Sequence, residues 1–520
     1  MKNIKNIPFH PFLLAVYPVL ALLSFNIDQV GVWVVWRSLL IVISAAIILS
    51  GILALVIKPF QKAAIISSLI LILFFSYGQV HELLLNSKGL LFEISHHKYL
   101  GAIFFLIFVI GIIAIIRKIH QYQTITITLN IISAAIVILT IIPIVSYSYN
   151  LQRTKNNLPG NENTDISFSG DAKDIPDIYY IILDSYTRAD ALQRDFNFDN
   201  SPFTTELEKQ GFVVANCSRS NYGFTEVAMA STLNLNYLSE IDLKLQTGNS
   251  DLTSATALIQ NNYLRRQLKS IGYKIVAFET GYDWNQWTDA DMYLTPNKNP
   301  LSTAELQPFE KMLIRSTGLR LLADTNKKFL SGVVSTLKLT HHEPHVNRTM
   351  FILQWLKKLP SIAGPKFVYA HINVPHIPFI FKPDGSLVDD PNYYRGPQDY
   401  PVNEQYFKEG YINQIQFMNN RIPEIADQII KNSTRPVIIV IQGDHGIKDD
   451  NRLEILNAVY FSGANANIDK ALTPVNTFRI IFNQFFNGQY PILENHSYLS
   501  TYELPYDLTS VPETAPDCIK

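Results

Sequence analysis

The chain has 520 residues, too many for one ordinary hydrophobic core, so more than one structural unit is expected. Its net charge of −1 hides a division, because residues 1–150 contain nine Lys and Arg against three Asp and Glu, which leaves the remainder mildly acidic. An acidic unit without basic clusters argues against a nucleic-acid partner. The two cysteines, Cys217 and Cys518, lack the spacing of a zinc site, and their spacing leaves open whether they form a disulfide.

Five apolar stretches dominate the first 150 residues. Each is about long enough to cross the ~30 Å hydrocarbon layer of a membrane as a helix, and they cover residues 11–27, 31–57, 63–81, 99–116 and 125–147. They predict an all-α transmembrane bundle of five spans. The basic residues before the first stretch, between the second and third, and between the fourth and fifth fall on one side of such a bundle: Lys2, Lys5, Lys58, Lys62, Arg117 and Lys118. The other side has Asp28 and the mixed loop 82–98. The positive-inside rule then places the N-terminus in the cytoplasm and everything after residue 150 outside. We expect a multi-pass protein of a bacterial-type inner (plasma) membrane.

One charged residue, Arg37, lies inside the second apolar stretch. Its guanidinium could snorkel to the nearby outer interface, which is the ordinary behaviour of such a side chain. It could also contact a lipid headgroup beside the outer domain. The sequence leaves both interpretations open.

A polar segment follows the apolar part of the chain. Residues 151–176 are rich in Asn, Gly, Ser and Asp, which is typical of a linker. We therefore divide the chain into a transmembrane domain (1–150), a linker (151–176) and an extracytoplasmic domain (177–520).

In the extracytoplasmic domain, short β-rich runs alternate with helical patterns. The runs "DIYYIIL", "KFVYAH" and "PVIIVIQ" are almost continuously apolar, as strands are when both faces of a sheet are covered by helices. Residues 253–272 and 403–432 each have the pattern of one helix. This alternation predicts an α/β domain with a mostly parallel central sheet.

Polar residues follow three of the predicted strands. Asp184 ends the first run, His371 ends the second, and Asp444 and His445 stand side by side after the third. Functional groups in parallel sheets gather at the carboxyl ends of the strands, so these side chains are expected in one crevice. Carboxylates and imidazoles can bind the same metal ion. A turn-capping role for Asp444 with a solvated His445 is the ordinary alternative.

A candidate nucleophile begins a later helical segment, "TEVAMASTLNLNYL". Thr225 follows a turn that contains Gly223, and a helix N-terminus lowers the cost of negative charge on a hydroxyl oxygen. The alternative is that Thr225 serves only as the N-cap of this helix. Ser231 and Thr232 lie about two turns further along and are expected to face the core.

Four segments together resemble the alkaline phosphatase/sulfatase superfamily: "IILDSYTRAD", "NYGFTEVAMASTLNLNYL", "FVYAHINVPHIPFIF" and "VIIVIQGDHG". The resemblance covers about residues 177–485, and it implies an alkaline-phosphatase-like, sulfatase-like catalytic domain. A multi-span N-terminus before such a domain is similar to lipoteichoic acid synthases and phosphoethanolamine transferases.

The resemblance also implies roles for individual residues. One divalent metal ion, zinc or manganese, would be bound by Asp184, Thr225, Asp444 and His445. Thr225 would be the nucleophile, and His371 and His376 would contact the phosphate or protonate the leaving oxygen. Sulfatases that use formylglycine need Cys or Ser followed by x-Pro-x-Arg, whereas Cys217 is followed by "SRSN". A sulfatase acting through that aldehyde is therefore not expected.

These features predict a metal-dependent enzyme that transfers a phospho-ester group through a covalent threonine intermediate. The membrane unit favours a lipid or lipid-linked donor, and an envelope glycan or a similar acceptor. One alternative is a hydrolase of phosphate or sulfate esters. An alternative of another class is a non-catalytic scaffold for envelope assembly, and metal analysis would discriminate between it and an enzyme.

Overall fold

The computed structural model of the chain describes residues 7–158, 166–171, 173–241, 248, 250–296, 306–324, 343–388, 404–463 and 468–512. The chain forms two compact units. The first comprises Met1–Tyr149 and Asn299–His341, and the second comprises Asn150–Lys298 and His342–Lys520. The predicted catalytic range 177–520 therefore contains a segment, Asn299–His341, that packs with the first unit.

The helices and strands are numbered in chain order. The helices are α1 (His10–Phe25), α2 (Trp36–Val56), α3 (Phe60–Leu85), α4 (Leu90–Ser95), α5 (His97–Arg117), α6 (Tyr122–Asn156), α7 (Ala189–Phe196), α8 (Ser201–Lys209), α9 (Thr225–Thr232), α10 (Leu238–Ile241), α11 (Thr253–Gln260), α12 (Tyr263–Ser270), α13 (Pro308–Arg315), α14 (Arg320–Ala323), α15 (Glu343–Leu356), α16 (Glu404–Asn419), α17 (Ile422–Asn432) and α18 (Pro474–Phe485). The strands are β1 (Asp177–Leu183), β2 (Val213–Val214), β3 (Lys274–Phe278), β4 (Met292–Leu294), β5 (Lys366–Ile372), β6 (Val437–Gly443), β7 (Asn457–Phe461), β8 (Ser497–Leu499) and β9 (Thr509–Val511).

Each of the five predicted apolar stretches contains a helix. Within the described residues, four segments are long and apolar enough to cross a membrane: Val32–Val56, Phe60–Leu85, His97–Arg117 and Tyr122–Asn156. Helix α1 is apolar but only 16 residues long. A helix rises 1.5 Å per residue, so α1 is shorter than the hydrocarbon layer it would have to cross. The structure therefore supports four spans, and the fifth stays a prediction.

The first unit contains the partner of Arg37. The guanidinium donates two hydrogen bonds to the carboxylate of Glu310 in α13, and the Glu310 side chain is only 5% exposed. A bidentate pair of this kind holds both side chains in one orientation. The charge of Arg37 therefore has a partner within the protein, which neither interpretation of the sequence included, and both interpretations stay predictions.

In the second unit, seven strands form one sheet in the order β2-β7-β6-β1-β5-β3-β4. The neighbours from β6 to β4 run parallel, as the apolar runs predicted. At the other edge, β7 pairs antiparallel with both β6 and β2. The prediction of a mostly parallel sheet is confirmed.

Helices cover both faces of this sheet. Along β1, Ile178, Tyr180 and Ile182 pack into one hydrophobic core, whereas Tyr179 and Ile181 pack into a second core on the opposite face. Side chains alternate across a strand, so a strand buried on both faces must be apolar at every position. This double burial explains the continuous apolar runs, and it keeps the strand ends in a fixed position.

Two of the predicted helices are each divided in the structure. Residues 253–272 form α11 and α12, and the Asn262 side chain caps α12 by accepting a hydrogen bond from the Arg265 backbone N–H. Residues 403–432 contain α16 and α17, and Pro423 stands in the first turn of α17. Asparagine at the N-cap and proline in the first turn both favour a new helix start. Periodicity alone does not show such breaks.

Candidate active site

The site begins with the register of three neighbouring strands. Strand β1 lies between β5 and β6, with Ile182 opposite His371 and Leu183 opposite Gly443. The residues that follow these strands therefore meet at one edge of the sheet. Glycine is needed at 443, because a Cβ there would lie 2.5 Å from the backbone oxygen of Tyr186.

The side chains of Asp184, Asp444 and His445 form a compact cluster at this edge. One ligand atom of each lies within 4.8 Å of the others, and all three residues are buried. The Nε2 atom of His445 lies 3.9 Å from Asp184 Oδ1 and 3.7 Å from Asp444 Oδ2. The structure thus brings together the three side chains that the sequence motifs selected as metal ligands.

Backbone groups orient the Asp444 carboxylate. Its Oδ1 accepts hydrogen bonds from the backbone N–H groups of Ser185 and His445, each at 2.9 Å. Ser185 reaches this position with a φ of 63°, a left-handed conformation that is uncommon for serine. Asp444 Oδ2 is buried and has no hydrogen-bond partner among the described residues. A buried carboxylate oxygen left in this way fits a metal ligand.

The hydrogen bonds of His445 also fit a ligand. Its Nδ1 lies 2.8 Å from the carbonyl oxygen of Gly446, which can only accept, so the proton is assigned to Nδ1. The lone pair is then on Nε2, which faces Asp184 and Asp444. Burial lowers the pKa of His445 and so favours the neutral ring that metal binding requires.

The second carboxylate, Asp184, stays ionised. Burial would raise the pKa of its carboxyl group, but His376, His371 and His445 outweigh that effect and hold the pKa below its ordinary value. Its Oδ1 also accepts a 3.1 Å hydrogen bond from the Ser185 hydroxyl. The cluster therefore offers two carboxylates and one neutral imidazole.

The Thr225 hydroxyl reaches this cluster from the start of α9. Its Oγ1 lies 3.0 Å from His445 Nε2. Phe224 occupies the N-cap position of the helix, with no side-chain cap, so Thr225 is the first helical residue and not the cap. Ser231 and Thr232 are fully buried and bond to backbone carbonyl oxygens of Asn236 and Ala228, as expected for core residues.

The two other predicted histidines lie beside Asp184. The Nε2 atom of His371 is 3.5 Å from Asp184 Oδ2, and the backbone N–H of His376 donates to the Asp184 backbone oxygen at 3.1 Å. The sequence analysis missed Asn285, whose side-chain amide lies 2.8 Å from His371 Nδ1. Asn285 belongs to a short 3-10 helix, Asp283–Asn285, and nothing in the local sequence marks it.

No family model matches the chain, and no curated protein matches it. Solved structures are similar to it. One is the integral membrane protein lipooligosaccharide phosphoethanolamine transferase A (EptA) from Neisseria meningitidis, with 11% identity, a TM-score of 0.41 and coverage of 92% of this chain and 95% of that chain. Another is the C-terminal periplasmic domain of EcEptC from Escherichia coli in complex with Zn, with 14% identity, a TM-score of 0.40 and coverage of 68% and 96%.

A third similar structure is the phosphoglycerol transferase GacH from Streptococcus pyogenes in complex with sn-glycerol-1-phosphate. It shows 11% identity and a TM-score of 0.32, and the match covers 65% of this chain and 79% of that chain. At such identities and TM-scores, these similarities carry no argument about the activity of this chain.

Proposed function

We propose that this chain is a membrane-anchored enzyme that transfers a phospho-ester group through a covalent intermediate on Thr225. One observation carries the proposal: a threonine hydroxyl at a helix start lies 3.0 Å from a histidine that faces two buried carboxylates. The donor is a lipid or lipid-linked phospho-ester, because apolar helices precede the domain. The acceptor is a hydroxyl group of an envelope glycan or a similar molecule.

The site supports the reaction in two steps. Thr225 Oγ1 loses its proton and forms a bond to phosphorus while the bond from phosphorus to the donor oxygen breaks, and the donor oxygen takes up a proton and leaves as a hydroxyl. An acceptor hydroxyl then loses its proton and its oxygen takes the substituted phosphoryl group from Thr225, whose oxygen takes up a proton and becomes a free hydroxyl again. The positive end of the α9 dipole favours negative charge on Oγ1. Burial of Asp184 and His445 keeps water from the charged groups around this oxygen.

One divalent ion, zinc or manganese, fits this set of side chains. Asp184, Asp444, His445 and Thr225 would hold it. The observation that supports this role is Asp444 Oδ2, which is buried and has no hydrogen-bond partner in the part of the chain that the structure describes. When bound, such an ion stabilises a threonine alkoxide and neutralises charge on phosphoryl oxygens.

Replacement Asp444→Asn is expected to abolish binding of zinc and of manganese by the full-length chain. The amide keeps the shape of the side chain but removes its charge, while the backbone N–H groups can still bond to the amide oxygen. The metal content of purified protein, measured by mass spectrometry after chelation and reloading, tests this expectation. Thermal unfolding in chelator should show little change.

Asp384→Asn is the matched control. The Asp384 carboxylate also accepts a backbone N–H bond from a serine, Ser386, but it lies in an exposed turn. The metal content of the Asp384→Asn variant should equal that of the parent protein. Parent-like metal binding by Asp444→Asn would contradict the proposed ligand set.

The function itself can be tested by trapping the intermediate. We expect the detergent-solubilised full-length chain, incubated with a chromogenic aryl phosphodiester, to release the aryl alcohol and to carry the remaining substituted phosphoryl group on the peptide that contains Thr225. With the diester, formation of this adduct reports the first step of transfer, whereas turnover of an aryl phosphate monoester or an aryl sulfate would support the alternative of a hydrolase. No turnover of any ester by metal-loaded protein would favour the non-catalytic scaffold.

A formylglycine sulfatase is not supported by the state of Cys217. This cysteine is buried and disulfide-bonded, so its sulfur is not available for conversion to an aldehyde. Cys518 lies outside the described residues. The proposed chemistry therefore does not involve the sulfur of Cys217.

The proposed orientation places the C-terminal domain on the outer side of the inner membrane. Reporter fusions after Asn150 and after Lys118 should then report opposite sides, because the apolar part of α6, residues 125–147, lies between the two positions. An alkaline phosphatase reporter that is active only outside the cytoplasm, paired with a fluorescent reporter that is active only inside, makes the measurement. The same side for both fusions would contradict the topology.

A further inference from the structure

Three histidines lie next to Asp184, and their hydrogen bonds distinguish them. The Nδ1 atom of His445 lies 2.8 Å from the Gly446 carbonyl oxygen, and that of His376 lies 2.8 Å from the Ile377 carbonyl oxygen. Carbonyl oxygens only accept, so both rings carry a proton on Nδ1, and in the neutral form of each ring the lone pair is at Nε2. Both histidines can accept a proton or bind a metal, but in this tautomer neither can donate through Nε2.

His371 has a different partner. Its Nδ1 lies 2.8 Å from the side-chain nitrogen of Asn285, and an amide nitrogen only donates. The Asn285 oxygen accepts a hydrogen bond from the Tyr369 hydroxyl. Nδ1 of His371 is therefore an acceptor, and its proton is on Nε2.

The orientation of the Asn285 amide follows from the burial of Tyr369. The ring of Tyr369 is fully buried and stacks on Trp287 with centroids 4.0 Å apart, which fixes the hydroxyl. If the amide were turned around, the hydroxyl would receive a hydrogen bond from nitrogen and would have no acceptor of its own among the described residues. A buried donor left in that state costs free energy, so the observed orientation is favoured.

Asp184 gives an independent reason for the same tautomer. The Nε2 atom of His371 is buried, has no hydrogen-bond partner among the described residues and lies 3.5 Å from Asp184 Oδ2. A lone pair on this Nε2 would face the lone pairs of a carboxylate and be repelled. An N–H at that place is attracted to it. At His445 the lone pair can instead accept a hydrogen bond from the Thr225 hydroxyl, 3.0 Å from Nε2, whereas no such donor lies beside His371 Nε2 among the described residues.

We propose that Asn285 is a positioning residue that holds His371 with its proton on Nε2, so that His371 donates a hydrogen bond to a phosphoryl oxygen of the substrate. Tyr369 anchors Asn285 in turn. Of the three histidines beside Asp184, His371 is then the donor, and it is not a ligand of the metal ion. The identity of the substrate oxygen rests on the proposed function, but the position of the proton does not.

The test reads the proton on His371 directly, without any turnover. Full-length protein labelled with ¹⁵N-histidine is studied in detergent by two-bond ¹H–¹⁵N correlation, whose pattern distinguishes the two neutral tautomers. His371→Gln identifies the signal by its loss. The parent protein should show the proton on Nε2 after chelation and also after addition of zinc. An unprotonated Nε2 in either sample would overturn the proposal.

Asn285→Asp is the decisive variant. It keeps the size of the side chain but replaces the donor with a carboxylate, which can only accept, so the Nδ1 atom of His371 should become protonated. Tyr369→Phe removes the anchor, lets the amide turn around and should give a mixture of tautomers. An unprotonated Nδ1 in Asn285→Asp would show that the amide does not set the tautomer.

Asn200→Asp is the matched control. Asn200 is also buried and bonded to a tyrosine hydroxyl, that of Tyr186, but its described contacts include no histidine. The His371 signal of the Asn200→Asp variant should match that of the parent protein. A shift as large as that in Asn285→Asp would mean that the signal reports general disturbance, and it would overturn the assignment.

Activity supplies a second and separable readout. Turnover of the aryl phosphodiester by Asn285→Asp should fall about 100-fold with little change in KM, as when one preorganised donor to a reacting oxygen is lost. If the tautomer changes but turnover does not, His371 does not act on the substrate and this part of the proposal fails. If the parent protein turns over no ester while its tautomer is as stated, only the proposed function fails.

Discussion

Thr225→Ala is expected to reduce turnover of a phosphodiester by about four to six orders of magnitude, because the proposed covalent step loses its oxygen nucleophile. Stability should change little. Phe224 and not Thr225 is the N-cap of α9, so no capping bond is lost, and alanine is a good helix former. Steady-state kinetics and thermal unfolding of the full-length chain measure the two effects separately.

Thr232→Ala is the control on the same helix. Thr232 is buried, and its hydroxyl donates to the Ala228 backbone oxygen away from the cluster of carboxylates. Turnover should be retained. Thr225→Ser keeps a hydroxyl and should retain part of the activity, with phosphate found on residue 225. Full activity in Thr225→Ala, or phosphate on Ser231 or Thr232, would contradict the assignment of the nucleophile.

The second large effect is expected at the amino ends of β1 and β5, at the other end of these strands from the candidate active site. Lys366→Met should lower the free energy of unfolding by about 3–5 kcal/mol, the usual cost of leaving one charge of a buried ion pair without its partner. Lys366 and Asp177 are each 1% exposed, and the ammonium group bonds to the Asp177 carboxylate and to the Ile362 carbonyl oxygen. Thermal or denaturant unfolding of the full-length chain in detergent gives the measurement.

A lower pH should reduce the loss of unfolding free energy that Lys366→Met causes. Burial already raises the pKa of Asp177 in the parent protein, against the effect of Lys366, and removal of the lysine raises it further. A carboxyl group whose folded pKa lies above its unfolded pKa disfavours folding at high pH, and this penalty disappears as the pH falls and the group becomes neutral. The difference from the parent protein should therefore be largest near neutral pH.

Lys357→Met provides the control for this change. Lys357 pairs with Glu424 at 2.6 Å, but the Lys357 side chain is 30% exposed and that of Glu424 is 55% exposed. Solvent reaches this pair, and a solvent-screened pair contributes about 0–1 kcal/mol. The double variant Lys366→Met with Asp177→Leu should recover much of the lost stability, because no buried charge remains. A loss below about 1 kcal/mol in Lys366→Met would contradict the account.

The sequence by itself determined the features that depend on short-range pattern. Continuous apolar runs marked β1, β5 and β6, because a strand covered on both faces must be apolar at every position. The polar residues that end these runs, Asp184, Asp444 and His445, were identified for the same reason. Long apolar runs likewise identified the helices of the first unit.

Only the tertiary structure decided which polar groups pair. Arg37 and Glu310 are 273 residues apart, and His371 and Asn285 are 86 residues apart. Neither pair leaves a local pattern, since a buried polar group takes whichever partner the packing of distant elements brings within about 3 Å. The tautomer of His371 and the neutralisation of Arg37 therefore depend on contacts that form only once the chain has folded.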